Sequence, residues 1–223
     1  VQALRAAAQS RAVATLDSDP QAARRAFDAM GVRWAPLPGA ARELHEVSHQ
    51  FRNPTLLMGD DATEARVAAM NERGELARYR HLLFATHGFL SYTHPQLSAI
   101  VLRQPGSAQH DGYLTAAELP LLHLDSELVV LSACETGVGP VRSGSGVMGL
   151  PLALMAAGNR HAVVSLWSVP DQSTGELVIR LFRQVRLGRT PAEALARAKR
   201  ELAAMPRFAS PLHWAGFVVY GVR

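Results

Sequence analysis

The sequence predicts a doubly wound α/β fold, with a mostly parallel sheet of six strands and helices on both faces. Three observations carry this reading. Short apolar runs alternate with longer helical stretches along the chain. Two of those runs, "HLLFATHG" (81–88) and "ELVVLSA" (127–133), lack the polar alternation of a half-exposed strand, as expected where helices cover both faces. The 223 residues, 48% apolar and 19% charged, suffice for one domain, 1–223, with a sizeable core.

The elements follow in order. "RAVATLD" (11–17) reads as the first strand, with "SDP" turning the chain after it. Pro36, Pro38 and Gly39 break the chain before a helix over 40–51. "PTLLMG" (54–59) is a second strand, and Asp60 or Asp61 caps the helix "ATEARVAAMNER". Residues 81–88 form the third strand. A loop spanning 90–125 holds Pro95, Pro105 and "DGYLTAAEL". The fourth strand is 127–133, and a glycine-rich loop leads from it into an apolar helix over 146–158. "HAVVSLWSV" (161–169) is the fifth strand. Helices over 172–187 and 191–204 follow, and "WAGFVVYG" (214–221) closes the sheet.

Composition narrows the function classes. No apolar run approaches the roughly 18–20 residues of a membrane span, and no charged region leads into an apolar leader. A single cysteine excludes an intramolecular disulfide and suits a reducing compartment, so a cytoplasmic protein is expected. The chain starts at Val1 and is expected to be excised from a longer polypeptide. The net charge is +4, but the basic residues are arginines spread through helices, with Lys199 the sole lysine. No zinc-finger or aromatic–basic cluster accompanies them, so a solvated surface is expected and direct nucleic-acid binding is not.

Chemistry concentrates at two strand ends. In a parallel α/β sheet the site lies at the carboxyl ends of the strands. Strand 81–88 ends in His87 and Gly88, and strand 127–133 runs into Cys134. Each has a plain structural reading: free cysteines are commonly buried filler, and a strand-end histidine commonly bonds a carbonyl. Together they read as a nucleophile and its base, provided the two strands are neighbours. Gly88 has no Cβ, so its backbone can approach a substrate carbonyl and offer an N–H to an oxyanion beside that of Cys134.

"LLFATHG", "VVLSACETG" and "AVVSLWSVPDQST", with "LPGAARELHEV", "DGYLTAAEL" and "HWAGFVVYG", resemble the CHAT domain over residues 11–221. CHAT domains are caspase-like, belong to the cysteine-peptidase clan of caspases and separase, and are associated with TPR proteins in bacteria. The resemblance implies a caspase-like fold, His87 as catalytic histidine, Cys134 as nucleophile, and Gly88 and Cys134 as oxyanion-hole amides. It implies a regulated endopeptidase of bacterial defence or signalling that acts on a protein substrate. Only residues 1–10 precede the first strand, whereas many CHAT proteins have more there. An activating domain or partner protein is therefore expected outside this stretch.

Asp171, in "LWSVPDQST", has two readings. A separase-like stretch carries an acid that pockets a basic P1 side chain, which favours Arg or Lys before the cut. An Asp opening "QSTGELVIRLF" is equally a helix-capping residue. "GSGVMG" (144–149) has the form of a dinucleotide fingerprint but does not follow its strand directly, so a loop entering a helix explains its glycines. His45 and His49 are spaced i, i+4 without a third ligand, and neither a metal nor a cofactor is expected. The alternatives to a peptidase are a catalytically idle CHAT-like interaction module and a nucleotide-binding α/β protein.

Overall fold

Pro38 opens the first helix instead of preceding it: α1 spans Pro38–Ser48 with proline in its first turn, where a missing N–H costs nothing. The computed structural model describes residues 34–89, 95–104, 110–132 and 146–221. The next helix, α2 (Glu64–Glu72), is capped by Thr63, whose Oγ1 accepts from the Arg66 N–H at 3.1 Å. Asp60 and Asp61, the caps expected from sequence, lie instead in a 3₁₀ turn over Gly59–Asp61.

Strand β1 (His81–Ala85) is shorter than expected, because Thr86 and His87 link it to a strand of another sheet. That second sheet is antiparallel, in the order β2 (Gly88–Phe89), β3 (Ala99–Val101), β4 (Tyr113–Thr115). It occupies ground read from sequence as loop, since strands of two or three residues carry no periodicity. β5 is Leu128–Ser132 and α3 is Gly146–Ala156. β6 (His161–Ser165), α4 (Asp171–Arg186), α5 (Pro191–Ala203) and β7 (Phe217–Gly221) complete the chain. Thr190 and Glu193 close a reciprocal capping box at the start of α5.

The main sheet runs β1-β5-β6-β7, with β1, β5 and β6 parallel and β7 antiparallel. It is mostly parallel, but it has four strands among the described residues where six were expected. The expected strand at 11–17 lies outside the described residues. The one at 54–59 forms no ladder with a described strand: the chain leaves it at Met58 for the 3₁₀ turn.

Alternation along β5 sorts the helices into two layers. Val129 and Leu131, with Ala162 and Val164 of β6, pack against Val67 and Met70 of α2 and Leu150 and Leu154 of α3. Leu128 and Val130, with Val163 and Phe217, face Val47 of α1, Leu177 and Leu181 of α4, and Leu195 and Leu202 of α5. Helices thus cover both faces of β5, which explains its unbroken apolar run. Among the described residues no helix is long and apolar enough to cross a membrane.

Leu181 is fully buried in the second layer, whereas Leu187, which caps the C-terminus of α4, is 60% exposed. Leu181→Ala should lower the unfolding free energy by about 2–5 kcal/mol, while Leu187→Ala should change it by less than about 0.5 kcal/mol. Urea denaturation of the two variants checks the layer assignment.

Candidate active site

Two neighbouring strands aim their carboxyl ends at one edge. β1 and β5 pair in parallel, with Ala85 opposite Ser132 as the last pair of the ladder. His87 lies two residues past Ala85, and Cys134 two residues past Ser132. Adjacent strands are about 4.8 Å apart, and β1 and β5 end level with each other on the side where His87 follows. Cys134 itself lies outside the described residues.

His87 is held from several sides. It is 6% exposed, and its backbone carbonyl accepts from the Val101 N–H at 2.9 Å. The neighbouring Thr86 hydroxyl donates to the Val101 carbonyl. On the ring, Nε2 lies 2.6 Å from the Ala35 carbonyl oxygen. A carbonyl can only accept, so Nε2 carries the proton and Nδ1 the lone pair that a base needs. The Trp34 ring packs on the imidazole with centroids 5.1 Å apart, and its Nε1–H donates to the Tyr113 hydroxyl at 3.1 Å.

Gly88 faces Ile100 across the β2–β3 ladder. The Val101 N–H to His87 carbonyl bond flanks that pair, which makes Gly88 and Ile100 a non-hydrogen-bonded pair. The Gly88 N–H therefore points away from β3. Because β2 is an edge strand, the ladder does not use this donor.

Asp171 is the first residue of α4, and its Oδ2 accepts from the Gly39 N–H at 2.9 Å. A Cβ on Gly39 would sit 2.2 Å from that oxygen, so only glycine permits the approach. The carboxylate thus caps the N-terminus of α1, a neighbouring helix, while also lying in the first turn of its own. Capping was expected from sequence, but of α4 rather than α1.

Glu43 went unnoticed in the sequence. It lies on α1 and is 1% exposed, and its Oε2 accepts from the Ser132 hydroxyl at 2.9 Å. Its Oε1 has no hydrogen-bond partner. Burial, aided by the nearby Asp171 charge and opposed by the Ser132 bond, pushes its carboxyl from the ordinary 4.5 up to about 8. The signal was present as a spacing: Glu43 shares the inward stripe of α1 with Val47, at i, i+4. Trp34, before the first helix, had no sequence signal.

Among the described residues, no three His, Cys, Asp or Glu side chains gather as metal ligands. His45 and His49 are both exposed on α1. Several of the described arginines are paired: Glu176 meets Arg42 at 2.9 Å, Arg180 and Arg207, and Arg183 meets Glu201 at 2.9 Å.

The family model described as CHAT domain matches residues 1–222. The chain belongs to the CHAT-domain family. This CHAT domain is similar to tetratricopeptide repeat protein 28 of Homo sapiens, 27% identical over 215 residues, covering 84% of the chain and 8% of that protein. The Mus musculus protein of the same name is 27% identical over 214 residues, with 84% and 9% covered. The CHAT domain therefore spans less than a tenth of these curated relatives.

Glu43 sets a pH dependence of stability. Its folded-state affinity for the proton is raised, so the folded chain keeps a proton that the unfolded chain releases. The stability this contributes is complete below the ordinary 4.5 and is lost as pH rises towards about 8. Glu43→Gln has no such proton, and between about pH 5 and about pH 8 its stability should fall less than that of the wild type. The difference can reach about 1.4 kcal/mol per pH unit. Urea midpoints of both proteins across this range measure it, and parallel curves would contradict the assignment.

Proposed function

We propose that this CHAT domain is a cysteine endopeptidase that cuts a specific protein partner through His87 and Cys134. The observation that carries the reading is the β1–β5 register, which sets both positions two residues beyond the last paired residues of neighbouring parallel strands. The Ala35 carbonyl supports it by fixing the tautomer in which Nδ1 accepts a proton.

In this reading Nδ1 of His87 takes the Cys134 thiol proton, and the thiolate attacks the scissile carbonyl carbon. The N–H groups of Gly88 and Cys134 hold the oxyanion. Collapse of the tetrahedral intermediate expels the amine, which receives the proton from the His87 imidazolium, and leaves a thioester. His87 then draws a proton from water, whose oxygen attacks the thioester carbonyl. The thiolate leaves and recovers a proton. The Ala35 carbonyl takes the place a carboxylate occupies in other triads.

The enzyme would act in the cytoplasm, in bacterial defence or signalling, and stay weakly active until a further domain or a partner protein engages it. Asp171 is the proposed anchor for a basic P1 residue. The same carboxylate caps α1, so removing it alters two things at once. The alternative is an idle interaction module. It gains support from the small share of the much longer repeat-named relatives that the chain spans.

A thiol-directed peptidyl electrophile separates the two. It should label Cys134 in the wild type, and Cys134→Ala and His87→Ala should each abolish peptide cleavage while remaining folded. Cleavage of the same bond by Cys134→Ala would sink the mechanism. A chain that neither labels nor cuts, even with candidate partner proteins present, would favour the idle module.

P1 choice is tested on a P1-varied peptide library with Asp171→Asn, which keeps an acceptor for the Gly39 N–H but removes the charge. Preference for Arg or Lys should fall roughly ten- to a hundredfold in kcat/KM, in line with a lost charge-assisted bond of roughly 1.5–3 kcal/mol. An unchanged basic preference would remove Asp171 from the pocket.

A further inference from the structure

The described residues contain three buried acids, and two have ordinary partners. Glu176 is surrounded by Arg42, Arg180 and Arg207, and Glu64 accepts from the Gly112 N–H at 2.8 Å. Among the described residues Glu43 has no cation and no backbone donor. Its one bond is to Ser132, the last residue of β5. A buried carboxyl held by a single neutral hydroxyl calls for another explanation.

We propose that Glu43 is a positioning residue of the thiol site: by accepting from the Ser132 hydroxyl it fixes the end of β5, and with it Cys134 two residues further on. This rests on the reading of His87 and Cys134 as base and nucleophile. Ser132 is the last β5 residue held by the β1 ladder, opposite Ala85, while the β5–β6 pairs run only through Val129 and Val130. The Glu43 bond adds to that ladder a tether from the helix layer.

The surroundings favour a neutral acid there. From α4 the carboxyl is faced by Asp171, whose charge opposes a second one, and by Gly175, at which an added Cβ would only touch Oε2 at 3.6 Å. Glu176 of α4 is occupied by its three arginines, which include Arg42 of α1 itself. β5 presents no titratable side chain. On β1 the one titratable residue is His81, at the far end of the strand against Phe51 and Phe182. A proton held in these surroundings up to about pH 8 keeps the tether uncharged at neutral pH.

Cys134 is the chain's one cysteine, so alkylation by iodoacetamide reports on it without ambiguity and needs no substrate. Rate constants are measured against pH for the wild type, Glu43→Gln, Glu43→Ala and Ser132→Ala, with a thermal melt of each. In the wild type the rate should follow a thiol whose midpoint lies below the ~8.5 of an unassisted cysteine. Glu43→Gln, which keeps a neutral acceptor, should react within about twofold of wild type at neutral pH and titrate as a single group. Glu43→Ala and Ser132→Ala should move the midpoint towards ~8.5 and slow the reaction at neutral pH by about tenfold.

Wild-type rates and midpoint in a folded Glu43→Ala would overturn the proposal. If that variant does not fold, Ser132→Ala decides alone, and an unshifted profile there overturns the proposal equally. Shifted profiles in a chain that cuts no peptide would support the positioning role and count against the peptidase reading alone.

Discussion

The arrangement depends on β5 being buried on both faces along its whole length, Leu128 to Ser132. A strand so enclosed can present chemistry only where it ends, because elsewhere each side chain is packed in one helix layer or the other. The same burial fixes its register with β1, since a slip of one residue would turn the two inward sets over. In the proposed reading Cys134 and His87 take their positions from that register, so core packing and the proposed site would rest on one constraint.

Where strand ends meet helix starts, polar groups must be matched one by one. Asp171 satisfies an N–H at the start of α1 that no carbonyl of its own helix can reach. The cost falls on residue 39, which has to be glycine. Ser132 could have been satisfied by water at an open strand end. Instead it donates to an acid that burial keeps protonated. Both contacts draw α1 against β5 and α4, at the level where the apolar layers run out.

Much of this could be read in the sequence, and what could not has identifiable causes. Unbroken apolar runs announced β5 and β6, because burial on two faces leaves its mark on every residue. The proposed dyad was read from where two such runs stop, and the two strands, β1 and β5, are neighbours as that reading required. The β2–β3–β4 sheet escaped because its strands are too short for any period, and the same shortness of β2 hid the break at Thr86. The tether on β5 escaped for another reason. Glu43 sits in an otherwise ordinary amphipathic helix, and its burial is decided by α4 and β5, far away in the chain. Trp34 and Ala35 act through a ring face and a backbone carbonyl, for which residue type is almost uninformative.

Residues 34–43 contact His87, Asp171 and the end of β5. Ala35 orients the imidazole through its carbonyl, and Trp34 packs on the ring face. Four residues later Gly39 is gripped by Asp171 at the start of α4, and after one more turn Glu43 reaches the end of β5. The base, the nucleophile strand and the proposed P1 anchor are therefore joined by one short segment as well as by the sheet. Any displacement of this segment would move the ring, the cap and the tether together. A domain or partner that pressed on the start of α1 could thereby set all three at once, with no contact at the thiol.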